Sequence, residues 1–389
     1  MKVDIAVIGG GMVGAAAALA LAQSGFVVAV VEPSQPPALA DVAPCETRVS
    51  ALTLASQSFL AQLDVWQPLQ AWGVQPFTAM HVWSDDTTGE VVFRAEEAGV
   101  TALGWVIPNR AIQAVLWQAL QTHPQVHCLP GRGLEAIEGE QVRLSDGSMV
   151  RARLLVGADG ACSSVRALAS IPLDTHEYGQ AAIVGCLRTQ QSHENACWQR
   201  YTADGPVAFL AMADHISSLA WYLPMDKLEW ALSLSDEAFA AAVAQAAGYR
   251  LGEIEWVGER AGFPLVRRHA QRYFKGNVVL VGDAAHTIHP QAGQGVNLGF
   301  LDVMALREVL NCARQAGMDW AAEAVLRRYQ RRRYGDNLLV QRAMDGFDAL
   351  FAHDLPWKRP LRQGTLTLGR LLPPARHLLM DLALFGRMR

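Results

Sequence analysis

The sequence predicts an α/β protein in which a Rossmann-like nucleotide-binding domain is interleaved with an antiparallel-sheet domain. Three observations carry this. Near the N-terminus a glycine-rich turn joins a β-branched strand to an alanine-rich helix. Two later apolar strands each deliver an aspartate beside glycine, at Asp159 and Asp283. Between them, from about 172 to 267, segments such as Val207–Met212 and Ser217–Leu223 alternate in polarity, the pattern of an antiparallel strand covered on one side.

Val3–Ile8 reads as a strand, Met12 to about Ser24 as a helix closed by Gly25, and Val27–Val31 as the second strand of a βαβ unit. Ile5–Ala22 is uncharged and long enough to span a bilayer, and it contains Gly10-x-x-x-Gly14. Gly9-Gly10-Gly11 would break such a helix near its start, and composition differs on either side, so strand, turn and helix is the better reading. Residues 33–47, rich in Pro and Ala, form a loop. Asn109 is expected to cap a helix running to about Gln121. Val126–Leu129 is a short strand. Val142–Leu144 and Met149–Ala152 make a hairpin on Asp146-Gly147. Leu154–Val156 is a buried strand ending in Gly157-Ala158-Asp159-Gly160. Ser235 caps an alanine-rich helix ending before Gly248. Val278–Val281 leads into the loop Gly282–Gly299, and long helices follow through Phe351. The expected nucleotide domain comprises 1–75, 102–171 and 268–340. The sheet domain comprises 76–101 and 172–267, and 341–389 is a helical C-terminal segment.

With 389 residues, 51% hydrophobic and 18% charged, the chain can bury a large core and is not a mostly disordered protein. A net charge of −4 carries no whole-chain nucleic-acid signature. From Trp320 onward, however, 13 Lys and Arg face 6 Asp and Glu, a balance of +7 that leaves −11 for the rest. The six cysteines, at 45, 128, 162, 186, 197 and 312, show no C-x-x-C and no zinc spacing. They are expected to be reduced and mostly buried, as in a cytoplasmic protein. No signal peptide is indicated.

Gly9-x-Gly11-x-x-Gly14 is a dinucleotide fingerprint in the right context. Gly9 permits the tight turn, Gly11 lets backbone approach a pyrophosphate, and Gly14 lets helix pack on strand. Glu32, 18 residues after Gly14, ends the second strand where a carboxylate accepts from both ribose hydroxyls and disfavours a 2′-phosphate. The ligand is then FAD or NAD. Gly131-x-Gly133-x-x-Ala136 nominally repeats the fingerprint but precedes a hairpin, so no helix end would meet a phosphate there. Gly157-Ala-Asp159-Gly160 reads equally as a solvated turn or a second site element. After Asp283, a glycine-rich turn opens a long helix whose free N–H groups can hold the O2/N1 edge of an isoalloxazine. Asp283-x-x-His286-x-x-His289 invites a metal reading, but Pro290 and the glycines break the helical face such ligands need, and no metal is expected.

These motifs, in this order, resemble the class A flavoprotein aromatic hydroxylases of the p-hydroxybenzoate hydroxylase fold. More narrowly, Arg48–Leu52, Asn109-Arg110, Phe263-Pro264-Leu265, His286–Gly299 and Tyr329–Arg333 with Asp336-Asn337 resemble the ubiquinone-biosynthesis hydroxylases, over about residues 3–370. Trp198–Phe209 and Phe263–Ala270 are most similar to the UbiF-type branch, which acts on the demethoxyubiquinol ring. The resemblance implies that Gly9, Gly11, Gly14 and Glu32 bind the ADP half of noncovalent FAD. Arg48 and Arg110 would contact its phosphate and ribityl side, and Asp159 would shape the second motif. Asp283 would bond the ribityl chain, while Gly295, Val296 and Asn297 present backbone to the ring. The Pro290 carbonyl, with His289 nearby, would orient substrate. Gln291 stands where an aliphatic residue is common, and Cys162 where Asn is common; both bear on substrate fit more than on FAD.

The implied reaction reduces FAD with NADH or NADPH, traps O2 as a flavin C4a-hydroperoxide, and hydroxylates the ring of a polyprenylated phenol or benzoquinol. No residue stands out as a general base; His286 and His289 are candidates, and a structural histidine is an equal reading. The Arg327–Arg333 cluster reads as a solvated or ion-paired helix face. Arg370–Arg389 mixes Leu, Met and Phe with Arg, and fits an anionic membrane surface, a partner enzyme of ubiquinone synthesis, or a docked helix. Two other functions stay open: hydroxylation of a soluble aromatic acid, which needs a carboxylate anchor, and a flavin-binding scaffold without turnover.

Overall fold

The computed structural model describes residues 1–84, 90–212, 215–288 and 294–351. The nucleotide sheet runs Phe274–Lys275, Val278–Leu280, Met149–Gly157, Lys2–Ile8, Val28–Glu32, Val126–Pro130. All neighbours are parallel except the first pair. The register aligns Ile8 with Val31 and with Gly157, and Gly157 with Leu280. Three strands therefore end at one level, and the turns after them lie side by side. In open α/β sheets this carboxyl edge is where ligands bind.

The first helix, Met12–Gln23, buries every residue from Gly14 to Ala22. Its side chains are nearly all alanine and leucine, so it lies close under the sheet and packs on the helices Asn109–Thr122 and Gln294–Gln315. At twelve residues it does not cross a membrane, and no helix among the described residues is long and apolar enough to do so. Asn109 begins its helix rather than capping it, because Pro108 occupies the preceding position. Its side chain instead accepts a hydrogen bond from Ser50 Oγ at 2.7 Å. The hairpin strand at 149 and the buried strand ending at Gly157 are one element. Its first half alternates in exposure and its second half is buried on both faces, which is why the sequence reads as two pieces.

The second sheet runs His286–Thr287, Ile254–Ala270, Leu173–Thr189, Ile216–Pro224, Pro206–Ala211, Ala196–Tyr201, Ala79–Ser84, Val91–Arg94. It is antiparallel except where Ala196–Tyr201 pairs in parallel with Ala79–Ser84. Its outer face, with Ile183, Leu187, Phe209, Leu219 and Trp221, is covered by Leu228–Ser233 and Asp236–Ala246. The inner face meets a small sheet, Val49–Leu52 with Gly104–Pro108 and Pro76–Phe77.

Two expectations are corrected. Cys45 and Cys186 are joined as a disulfide, and Cys162 and Cys312 are exposed, so the cysteines are neither all reduced nor mostly buried. In the arginine cluster, Arg327 and Arg332 pair at the surface with Glu323 and Glu308. Arg333 instead turns inward and donates to Asp302 at 2.8 Å. Asp302 is fully buried and also accepts from His286 Nε2 at 2.5 Å, Asn337 Nδ2 at 3.0 Å and the Gly282 amide at 3.1 Å. Burial alone would raise its carboxyl, but the charges of His286 and Arg333 outweigh it and hold the group at about 2. The C-terminal helix reaches Phe351; the rest of the expected 341–389 segment lies outside the described residues.

His269 packs beside this cluster, 4% exposed, with Nδ1 on Gln341 Oε1 at 2.7 Å. Burial pushes its imidazole down to about 4 from an ordinary 6.5, so it folds neutral. The unfolded chain binds that proton more readily, so the contribution is complete above pH 6.5 and is lost as pH falls toward 4. Urea unfolding should show a loss of about 3 kcal/mol across that window, absent in His269→Gln. Asp302→Asn, which strands the Arg333 charge in the core, should cost about 3 kcal/mol at neutral pH.

Candidate active site

The glycine turn is built by exclusion. Gly9 has φ +98°, and a Cβ there would stand 2.4 Å from the Ala158 carbonyl oxygen. A Cβ on Gly14 would stand 1.9 Å from the Gly9 carbonyl oxygen. Gly11 differs, since a Cβ there meets no protein atom within 4 Å. It precedes the first helix and has no side-chain cap, so the helix's first N–H groups, which lack intrahelical acceptors, could hold an anion. Glu32 accepts from the Gly10 amide at 2.6 Å and the Ser34 amide at 3.0 Å. Each carboxylate oxygen keeps a further lone pair for a ribose hydroxyl. Trp117 Nε1 and Gln113 Nε2 both donate to the Gly10 carbonyl, at 2.7 and 2.9 Å. These two struts escaped the sequence reading, although both sit on the helix that begins at Asn109.

Asp159 accepts from Ser163 Oγ at 2.5 Å and the Val165 amide at 3.1 Å, and so organises the start of the short helix Ser164–Leu168. Arg166 of that helix is buried and donates to the Ala284 carbonyl at 2.8 Å, which ties the second turn to the third. Asp283 is accessible, yet its carboxyl is crowded by protein on nearly every side. Crowding raises its carboxyl, and the charges of His286, Arg48 and Arg268 oppose the rise. A Cβ on Gly295 would lie 3.8 Å from Asp283 Oδ1, so the N-terminus of the helix Gln294–Gln315 abuts this carboxylate.

Arg48 and Arg110 are neighbours. The Asn109 amide donates to the Arg48 carbonyl at 3.0 Å, and Arg110 pairs with Glu46 at 2.9 Å. Arg110 is thus engaged with the loop that carries Arg48. The Asn297 side chain accepts from the Thr53 amide at 3.0 Å and Ser56 Oγ at 2.6 Å, and donates to the Ala51 carbonyl at 2.8 Å. It anchors the helix start and leaves the backbone of Gly295, Val296 and Asn297 in the first turn, without intrahelical acceptors for its N–H groups. His286 is buried with Nε2 committed to Asp302. His289 and Pro290, with Gln291, lie outside the described residues. Among the described residues no cluster of three metal-ligating side chains occurs.

Strand registers place Gln180, Gln199, Ser218 and Tyr222 on the inner face of the second sheet, all buried and all neutral. Burial pushes the Tyr222 phenol well above its ordinary value, so it stays protonated. The every-other-residue spacing of Ser218 and Tyr222 was visible in sequence, but which face turned inward was not.

A family profile described as an FAD binding domain matches residues 2–343. The 3-demethoxyubiquinol 3-hydroxylase of Escherichia coli (strain K12) is 42% identical over 364 residues, covering 92% of each chain. The ubiquinone hydroxylase UbiL of Rhodospirillum rubrum is 36% identical over 356 residues, covering 90% of this chain and 82% of that one. Among solved structures, p-nitrophenol 4-monooxygenase PnpA from Pseudomonas putida DLL-E4 has a TM-score of 0.80 over 100% of both chains, at 18% identity. PqsL from P. aeruginosa has a TM-score of 0.78 over 94% of this chain and 100% of that one, at 22% identity. These two structures establish a shared fold.

The glycine geometry separates folding from binding. Gly11→Ala should melt close to the parent while retaining FAD at least about tenfold more weakly, read as flavin absorbance per protein after gel filtration. Gly14→Ala should fail to reach the native fold at all. Unchanged flavin retention in Gly11→Ala would remove the pyrophosphate from that position.

Proposed function

This chain belongs to the FAD-dependent hydroxylases of ubiquinone biosynthesis, monooxygenases acting on an aromatic ring, and we propose that its own substrate is a polyprenylated benzoquinol of the demethoxyubiquinol type. Two lines support this reading: a 42% identical relative of that activity, and a neutral, buried polar inner face on the sheet whose edge strand, His286–Thr287, follows the third strand-end turn. The balance is ring C–H plus O2, NAD(P)H and a proton, giving ring C–OH, water and NAD(P)+.

Bound FAD supplies the redox chemistry and oxygen activation. The chain's own residues do the rest. The Gly9–Gly14 turn and Glu32 hold the ADP half, and Asp283 offers an acceptor for the ribityl chain. The helix N-terminus at Gly295–Asn297 directs N–H groups and a positive dipole end toward developing negative charge. Tyr222, Gln199, Gln180 and Ser218 give neutral donors and acceptors to ring hydroxyl and ether oxygens, and the sheet behind them excludes water. His289 and the Pro290 carbonyl stay proposed for orienting the ring.

A soluble aromatic acid suits this face poorly. Among the described residues the buried arginines are Arg166 and Arg333, both engaged within the protein and neither on this face. A polyprenyl substrate resides in a bilayer, and the cationic stretch Arg370–Arg389, outside the described residues, is proposed to meet an anionic membrane surface or a partner enzyme. Cutting the chain after Pro373 should move it from membrane to soluble fractions.

Holoprotein supplied with NADH or NADPH, O2 and a short-chain demethoxyubiquinol in detergent should yield the hydroxylated ring by mass spectrometry. p-Hydroxybenzoate in the same assay should yield none. Nicotinamide oxidation that ends only in hydrogen peroxide, with every quinol tried, would refute the substrate assignment, and no nicotinamide oxidation at all would leave a flavin-binding scaffold.

A further inference from the structure

The Cys45–Cys186 pair lies where the loop carrying Arg48 meets the inner face of the second sheet. Cys45 is half-buried, three residues before Arg48, while Cys186 is 2% exposed within the strand Leu173–Thr189. Their Cα atoms are 6.0 Å apart across a sequence separation of 141, within the span that a disulfide bridges without backbone movement. The loop between Cys45 and Arg48 is tied to the site from the other side: Glu46 pairs with Arg110, the Arg48 carbonyl accepts from Asn109, and the Arg48 charge acts on Asp283. The reduced state is also provided for. Cys186 Sγ lies 3.4 Å from the Glu46 carbonyl oxygen, so a thiol there has an acceptor and leaves no buried donor unpaired.

We propose that Cys45 and Cys186 form a reversible redox site whose oxidation clamps the Arg48 loop onto the second sheet and slows flavin exchange. The oxidant is hydrogen peroxide, the class of product a flavin monooxygenase releases when reduction is not coupled to ring hydroxylation. The more accessible Cys45 thiolate attacks one peroxide oxygen, the O–O bond breaks, and the departing oxygen leaves as water. Cys186 then attacks the sulfur of the resulting sulfenic acid, the S–S bond forms, and a second water leaves. In sum, two thiols and one peroxide give one disulfide and two waters, with each sulfur losing one electron. A dithiol reverses the step by exchange. The crosslink stands apart from the functional reading above; only its effect on flavin rests on that reading.

Full-length holoprotein would be divided, one half treated with hydrogen peroxide and the other with dithiothreitol, then both alkylated, digested and mapped by mass spectrometry. Flavin release would be followed by fluorescence after dilution. The oxidised half should contain the linked Cys45 and Cys186 peptides and release FAD at least about threefold more slowly than the reduced half. Cys45→Ser and Cys186→Ser should release FAD at the reduced rate in either medium. Full alkylation of both cysteines after peroxide would overturn the site. Linkage with equal release rates would overturn the clamp. A protein that links but never retains FAD would uphold the redox site and refute the cofactor reading instead.

Discussion

Everything in the site follows from how closely two turns can approach. The carbonyl of Ala158 comes so near Gly9 that no side chain fits between them, and the next helical turn presses on Gly9 in the same way through Gly14. Two strands that end level can bring their turns together only if one of them has no Cβ. The alanine-rich helix behind them is part of the same solution, because large side chains would push helix and sheet apart. With those turns in contact, Glu32, Asp159 and Asp283 fall along one edge without any of them having to reach.

A second tier of order lies beneath the third turn. Asp302 draws together two long helices, a short strand and the Gly282 amide, and every oxygen lone pair it offers toward them is used. A buried charge is costly on its own, and it is tolerated here because opposite charge and hydrogen bonds surround it. What this arrangement contributes is position: the amide it accepts from belongs to the residue just before Asp283. Asp283 is thus placed from below by a core carboxylate, and from the side by Arg166 through the Ala284 carbonyl.

Much of the architecture was readable in advance because it is written in short-range signals. The strand, glycine turn and helix at 3–24, the aspartates at strand ends, and the serine cap at 235 are all local patterns. The misreadings came where distant partners decide. Nothing near Arg333 in sequence distinguishes it from Arg327 or Arg332; Asp302 does, from another helix. Trp117 and Gln113 look like ordinary helix residues until Gly10 is brought against them. Cys45 and Cys186 carry no spacing rule, because their meeting depends on how two domains are laid against each other. The sequence singles out the backbone of Asn297, while its side chain binds three groups at a strand–helix junction, Ala51–Ser56, far earlier in the chain.

The parallel pairing of Ala79–Ser84 with Ala196–Tyr201 has a consequence for how the molecule is made. During synthesis the earlier segment leaves the ribosome long before its neighbour exists. Val91–Arg94 pairs one side of it soon afterwards, but the backbone groups along its other side have no strand to bond with until the later one arrives. Assembly therefore cannot proceed one unit after another, and the waiting stretch is an edge that another nascent chain could occupy first.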